Sequence, residues 1–229
     1  MYSIEFNEKN CLEHRILVVR RPSVPAPEKR YEPITVPGRD GALIETDGCY
    51  DPITIPVEFN FMEKPDLWAY TFRAAKQWLT GSGKLVLSDD PDFYYNCINC
   101  IITDSERASR KLGRFTAEFL CDPYMYLATG DEPIDSPETL ENYYAVSHPD
   151  YILTGSGSCT VAVNGKELQA VVNGTLTINT DLMIAYNQDG VSQNNLITGD
   201  YEDLYLLPGS NTISVTGAEL KVVPHWRCL

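Results

Sequence analysis

The chain has 229 residues, of which 43% are hydrophobic and 22% are charged, and its formal net charge is -14. This composition is typical of a globular protein long enough for two domains, and it excludes a disordered chain. No apolar run approaches the length of a membrane span and residues 1–6 do not resemble a signal peptide, so we expect synthesis in a cytoplasm and no membrane partner.

The negative charge is concentrated in the second half of the chain. Residues 1–128 carry 15 basic and 19 acidic side chains, whereas residues 129–229 carry 3 basic and 13 acidic ones. The two halves are therefore expected to present different surfaces. Because an acidic surface repels phosphate backbones, we expect no sequence-specific contact with nucleic acid.

The first predicted elements are a strand at residues 16–19 and a proline-rich segment at residues 21–27, which should run extended. Next, residues 34–36 and 42–44 flank Pro37-Gly38-Arg39-Asp40-Gly41, whose two glycines suit a tight reversal. The predicted hairpin has many charges and few apolar residues, so it should project from its domain. A projecting hairpin is marginal alone in water, so it is either a mobile loop or an arm that a neighbouring subunit orders.

The following segment, residues 53–61, alternates apolar and other residues with a period of two, which predicts a strand with one buried face. Pro56 lies on its other face, which indicates either a sheet edge or a part of the backbone that is turned away from any neighbouring strand. A helix is predicted at residues 66–79, and its stripe of Trp68, Phe72, Ala75 and Leu79 should face the core. With further strands at residues 85–87, 94–102 and 114–120, the first domain is predicted to be α+β.

Seven cysteines cannot all pair within one chain, and a cytoplasm favours free thiols. The only Cys-x-x-Cys motif is formed by Cys97 and Cys100. In a regular strand, residues three apart face opposite sides of the sheet, so this pair should not act together. No second pair of ligands stands near it, and we expect no metal site and no cofactor.

An acidic, proline-interrupted stretch at residues 130–149 predicts a linker or a long surface connection. Beyond it, alternating segments are separated by Asn164-Gly165 and Asn173-Gly174, and both dipeptides are typical of hairpin turns. Later short strands are predicted at residues 183–186, 203–206, 212–215 and 220–223. The second domain is thus predicted to be all-β, either a sandwich or a jelly roll.

Several segments resemble the distal tail proteins of long-tailed, non-contractile bacteriophages, in the order expected for that family. The matching segments are residues 21–27, 36–41, 51–59, 76–79, 83–92, 112–119 and 121–124. Residues 206–215 resemble the C-terminal galectin-like domain of the family, and residues 226–229 resemble its closing segment.

The resemblance implies a mainly β chain with an N-terminal ring-forming domain at residues 1–130, which the last residues, 224–229, rejoin. A galectin-like β-sandwich would occupy residues 131–223. It also implies a virion protein at the tail tip, made in the bacterial host and encoded by a phage or prophage. Six copies would form a ring that joins the tail tube protein to the baseplate, to a tail-associated lysin, and to tail fibre or receptor-binding proteins. The hairpin arm that would contact the next subunit is defined by Arg30, Tyr31, Pro37, Gly38, Arg39, Asp40 and Gly41.

Two other functions can be weighed against this one. None of the three histidines lies in a recognised nucleophile or metal motif, so we expect no catalytic residue and no enzyme activity. A galectin-like sandwich could instead bind host cell-wall sugars by stacking them on aromatic rings. The candidates for sugar stacking are Tyr186, Tyr201, Tyr205 and Trp226.

Overall fold

The structure is a computed structural model and describes residues 2–229. It divides into two compact units: residues up to Met125 together with Leu229, and Tyr126–Cys228. Antiparallel strands dominate both units, and the described residues contain a single α-helix, which lies in the first unit. The predicted mainly β fold class, with an α+β first part, is therefore confirmed.

The first unit is built on one antiparallel sheet with the strand order β2-β1-β7-β8-β9-β6-β3, while β4 and β5 form a separate two-stranded sheet. β9 runs on into the first residues of the second unit. The elements are β1 (Ile4–Phe6), β2 (Lys9–Asn10), β3 (Leu17–Val18), β4 (Glu32–Thr35), β5 (Ala42–Glu45), β6 (Ile53–Met62), α1 (Trp68–Trp78), β7 (Gly81–Leu87), β8 (Asp90–Glu106) and β9 (Leu112–Leu127).

The core of the first unit lies between this sheet and α1. Along β6 every second residue is buried, as the alternation predicts. The predicted helix stripe faces the same core: Ala75 is buried, and Trp68 and Phe72 pack against it with less burial. The indole of Trp78, the last residue of α1, donates a buried hydrogen bond to the carbonyl of Phe6 (3.0 Å), which ties the helix to β1.

Pro56 lies where the sequence predicts it, at an open stretch of the sheet edge. β6 pairs with β9 along its whole length, whereas β3 pairs only with Phe59 and Asn60. No other described strand lies beside the part of β6 that contains Pro56. A residue without an N–H group can occupy this position because no second ladder needs its donor.

The prediction that Cys97 and Cys100 face opposite sides of the sheet is wrong. Cys97 and Cys100 are both buried, with 0% and 2% exposure. Gly83 pairs with Cys97 but Gly81 pairs with Cys100, so two steps on β7 match three steps on β8. This β-bulge inserts one residue and turns both thiols toward the same side of the sheet.

The second unit contains a curled antiparallel sheet with the order β10-β17-β12-β13-β14, in which β16 pairs with β11 and β12, and β15 pairs with β13. The long strands β12 and β13 form its centre. The elements are β10 (Ile134–Asp135), β11 (Thr139–Asn142), β12 (Asp150–Val163), β13 (Lys166–Asn179), β14 (Ile184–Asn187), β15 (Ile197–Thr198), β16 (Gly209–Thr216), β17 (Glu219–Val223) and β18 (Arg227–Cys228).

The prediction of a linker or surface connection at residues 130–149 is also wrong in part. This stretch contributes β10, which pairs with β17, and β11, which pairs with β16. Leu140 on β11 is buried in the core of the second unit. The acidic residues mark the solvent side of these short strands and do not prevent their pairing.

The two Asn-Gly dipeptides behave differently. Asn164 and Gly165 both have positive φ angles (52° and 82°) and connect β12 to β13 in a tight hairpin, as predicted. Asn173 and Gly174 instead lie inside β13, where Gly174 pairs with Gly155 without a shift of register. The predicted second turn is wrong because continuous pairing with β12 outweighs the local turn preference.

Candidate functional site

The hairpin arm comprises residues 28–51. Its root, residues 28–30 and 47–51, is fixed by backbone hydrogen bonds and ion pairs. The amide of Arg30 donates to the carbonyl of Cys49 (2.8 Å), and the amide of Asp51 donates to the carbonyl of Glu28 (2.9 Å). The guanidinium of Arg30 donates to Asp51 (3.1 Å) and lies 3.6 Å from Asp47. The charge of Arg30 is therefore neutralised within the arm. As predicted from the sequence, Arg30 belongs to the arm.

The tip of the arm is a β-turn with a well-defined chemistry. The amide of Arg39 donates to the carbonyl of Val36 (3.2 Å), Pro37 takes the second position, and Gly38 has a φ of +78°. Proline followed by a residue with positive φ is the pattern of a type II turn. The side chains of Arg39 and Asp40 are exposed at this tip.

The whole arm is exposed beyond its root. From Tyr31 to Cys49 every residue is exposed except Val36, which is partly buried. Within residues 2–229, neither β4 nor β5 pairs with a strand of another sheet. Tyr31 and Ile44 are 64% and 62% exposed, so apolar surface is presented to solvent along with the backbone edges. The structure thus brings the seven predicted arm residues together on one projecting element.

Close to the root, the proline-rich segment borders an apolar cavity of about 460 Å³. No acidic, basic or imidazole side chain lines this cavity. Its polar side-chain groups are the hydroxyls of Tyr50 and Tyr95, and the other lining side chains are apolar. The lining residues are Val24, Pro25, Ala26, Pro27, Tyr50, Ile53, Tyr95, Pro123, Met125 and Leu229.

The four candidate sugar-stacking residues of the second unit are all partly buried. Tyr205 stacks on the ring of His148 with 4.0 Å between ring centres, and Trp226 packs against the core. Burial raises the pKa of Tyr186 and of Tyr201. Sugar binding by these rings stays a prediction.

Sequence reasoning did not single out Tyr143, which is 82% exposed and follows the buried Asn142. No sequence signal separates it from the other tyrosines, because exposure at a strand end is decided by the fold. An open aromatic ring of this kind is a better stacking platform than one that already packs on a neighbour.

Two histidines of the second unit make charged contacts. His225 lies between two carboxylates, 3.0 Å from Asp131 and 3.5 Å from Asp150. Burial alone would lower the pKa of His225, but the hydrogen bonds to Asp131 and Asp150 outweigh it and raise the pKa to about 9. This histidine is thus charged at neutral pH and holds the carboxylates of Asp131 and Asp150 together. We call this pair of contacts the His225 clamp.

The second histidine, His148, bridges an acid and a base. Its Nδ1–H donates to Asp181 (2.7 Å), and the guanidinium of Arg227 donates to its Nε2 (2.8 Å). An arginine can only donate, so Nε2 accepts in this contact. The hydrogen bond from His148 lowers the pKa of Asp181. With no nucleophile among these contacts, the arrangement holds the C-terminal segment in place.

The Asp89 carboxyl and the Cys100 thiol were further candidates for metal binding or catalysis, and both lie in structural surroundings. Arg21 and then Tyr2 hydrogen-bond to Asp89 and hold the pKa of this carboxyl below its usual range. Burial raises the pKa of Cys100 to about 12, so its thiol stays protonated and is a weak ligand and nucleophile. Among residues 2–229, no group of three or more His, Cys, Asp or Glu side chains is placed to hold a metal ion.

A comparison with solved structures finds a match over 100% of this chain and 100% of the matched chain, with a TM-score of 0.75 and 17% sequence identity. The matched protein is Dit of phage SPP1, described as a paradigm of the hub adsorption apparatus in phages that infect Gram-positive bacteria. This chain has the Dit fold. No protein-family model matches the sequence, and a search of curated proteins finds no match.

The Dit fold agrees with the resemblance to distal tail proteins in the sequence. The structural match spans both units, at a sequence identity of 17%. The part of the chain that the structure describes contains no helix that is both long and apolar enough to span a membrane.

Proposed function

We propose that the chain is a structural component of a phage tail tip, made in the bacterial host and assembled into the virion. Six copies form a ring that joins the tail tube to the baseplate and the host-adsorption apparatus. The observation that carries this proposal is the match of the entire chain to a phage hub protein at a TM-score of 0.75. The match includes both units, so it supports a role that uses the whole chain.

The arm supports self-association. It projects from the first unit with both faces in solvent, and a two-stranded hairpin gains little stability by itself. In a cyclic ring, one surface of each subunit meets a different surface of the next, and a projecting arm supplies such a surface. We assign the arm, from Arg30 through the Pro37–Gly41 tip, to contacts between neighbouring subunits.

The second unit serves in this proposal as a docking platform for other tail proteins, such as a tail-associated lysin or a receptor-binding protein. With only 3 basic and 13 acidic residues in residues 129–229, its surface suits a partner with a basic face. The same charge disfavours binding of the phage DNA. A structural platform needs no catalytic group.

Native mass spectrometry of the purified chain across a concentration series tests the ring, together with negative-stain images of large species. We expect a six-chain species with an open centre that grows with concentration. A closed dimer, or a ring of another copy number, would contradict the six-fold assembly. If the chain is monomeric at every concentration, adding the tail tube protein should produce the ring, and failure there would remove the proposal.

A further inference from the structure

On one face of the arm, two carboxylates lie opposite each other and have no counter-ion. In the register of β4 and β5, Glu32 pairs directly with Glu45, and Ile34 pairs with Leu43. Like charges directly opposite each other destabilise a strand pair. Among the described residues, no ion pair involves either glutamate. At the root, by contrast, Arg30 is matched by Asp47 and Asp51.

This acidic face, defined as Glu32, Ile34, Leu43 and Glu45, combines charge with apolar surface. Ile34 and Leu43 are 40% and 42% exposed. A surface that relieves the repulsion between the glutamates must supply cations, and it must cover two aliphatic side chains. The face therefore fits a partner surface that is both basic and apolar.

The first unit carries a surface of this kind at the start of α1 and at the β8–β9 turn. The amide of Glu63 donates to the carbonyl of Lys111 (2.9 Å), which brings the two segments together. Met62 and Leu67 are 74% and 47% exposed there. We define the basic patch as Met62, Lys64, Leu67, Arg110 and Lys111.

The cations of the patch are available for a partner. In residues 2–229, no ion pair involves Lys64, Arg110 or Lys111. The acid next to Lys64, Glu63, lies 3.5 Å from Arg15 and is largely buried. The exposed Asp66 lies between Lys64 and Leu67, so the patch has three cations beside one carboxylate and keeps a positive charge, in a chain whose net charge is -14.

We propose that the acidic face of the arm docks on the basic patch of a second copy of this chain. Glu32 and Glu45 pair with Arg110 and Lys111 of that copy, while Ile34 and Leu43 cover its Met62 and Leu67. This inference rests on the proposed self-association and names the two surfaces that meet. The surfaces differ, so the contact is heterologous and repeats around a ring.

Charge reversal on each side tests the pairing. The arm variant is Glu32→Lys with Glu45→Lys, and the patch variant is Arg110→Glu with Lys111→Glu. Each variant alone should weaken self-association at least about tenfold in sedimentation velocity, because every interface then opposes like charges. An equimolar mixture of the two variants should recover self-association. When the variants alternate around a ring, each lysine arm meets an acidic patch and each native arm meets a native patch. A ring of six subunits allows this alternation.

Glu138→Lys with Glu141→Lys is the matched control for the arm variant, since it raises the net charge by the same amount at two exposed glutamates outside both surfaces. It should associate like the native chain, and circular dichroism verifies that all variants are folded. Native-like association of either single variant, or a mixture that stays dissociated, would overturn the pairing while leaving the ring intact. If the native chain does not self-associate with or without the tube protein, the ring and this inference fall together.

Discussion

At the residue scale, His225 combines an unfavourable backbone conformation with two charged contacts. Its φ of +48° lies in the left-handed region that few non-glycine residues adopt. Its amide donates to the carbonyl of Gly130 (2.9 Å), and a Cβ at Gly130 would stand 2.8 Å from the backbone nitrogen of Trp226. The clamp from Asp131 and Asp150 thus stabilises a backbone conformation that is unfavourable by itself.

The raised pKa of His225 predicts a pH-dependent stability. The folded-state pKa of about 9 exceeds the ordinary value of 6.5, so the stabilisation is complete below pH 6.5 and disappears as pH rises through 9. We expect the free energy of unfolding of the second unit, measured with urea, to fall by on the order of 2 kcal/mol between pH 6.5 and 9. This value allows for the exposed part of the ring.

His225→Asn is the variant for this test, because asparagine tolerates a positive φ but does not titrate. Its unfolding free energy should be lower at pH 6.5 and flatter from pH 6.5 to 9 than that of the native chain. In the native chain, one histidine Cε1–H signal should titrate near pH 9 in an NMR titration. The same pH slope in both proteins would rule out the clamp.

At the element scale, the arm adds interaction surface without adding core. β4 and β5 contain no buried residue, and the root contacts of Arg30 with Cys49 and Asp51 lie outside both strands. Its turn residues specify its shape, while its two faces have different chemistry. The arm can therefore be removed with little effect on the remainder of the first unit.

Deletion of residues 32–46 should leave the unit folded and weaken self-association. We expect the free energy of unfolding to change by less than about 0.5 kcal/mol, since none of the removed residues is buried in a core. Thermal melting measures the stability, and native mass spectrometry measures the assembly. Replacing Glu138 and Glu141 by serine is the control, because these two exposed residues lie outside the arm. Unchanged ring formation after the deletion would disprove the role of the arm.

At the scale of the whole molecule, each unit has its own core. Phe59 is buried among residues of the first unit, and Tyr151 is fully buried in the second, where its hydroxyl donates to the carbonyl of Leu204 (2.7 Å). Each core unites strands that are distant in sequence. Each unit is therefore expected to respond separately to a change in its own core.

Two conservative core variants should act locally. Tyr151→Phe leaves the buried carbonyl of Leu204 without its donor and should cost about 1–2 kcal/mol, and Phe59→Leu should cost a similar amount through the cavity it leaves. Hydrogen exchange followed by mass spectrometry should show faster exchange in residues 126–228 for the first variant and in residues 2–125 for the second. Equal acceleration in both units for either variant would contradict separate cores.

The sequence by itself determined the features that depend on neighbouring residues. The alternation of β6, the apolar stripe of α1, the Pro37-Gly38 turn and the Asn164-Gly165 turn were predictable, because backbone preference and periodicity are local. The order of short motifs also indicated the fold that the structural comparison bears out. The projecting arm followed from its charge and its lack of apolar residues.

Only the tertiary structure decided which residues meet. The bulge that buries Cys97 with Cys100, and the pairing that straightens Asn173-Gly174, depend on the partner strand. The opposition of Glu32 to Glu45 depends on register, and the meeting of His225 with Asp131 joins positions 94 residues apart. A single sequence does not encode such pairings as a local pattern, because they are selected by the packing of the whole sheet.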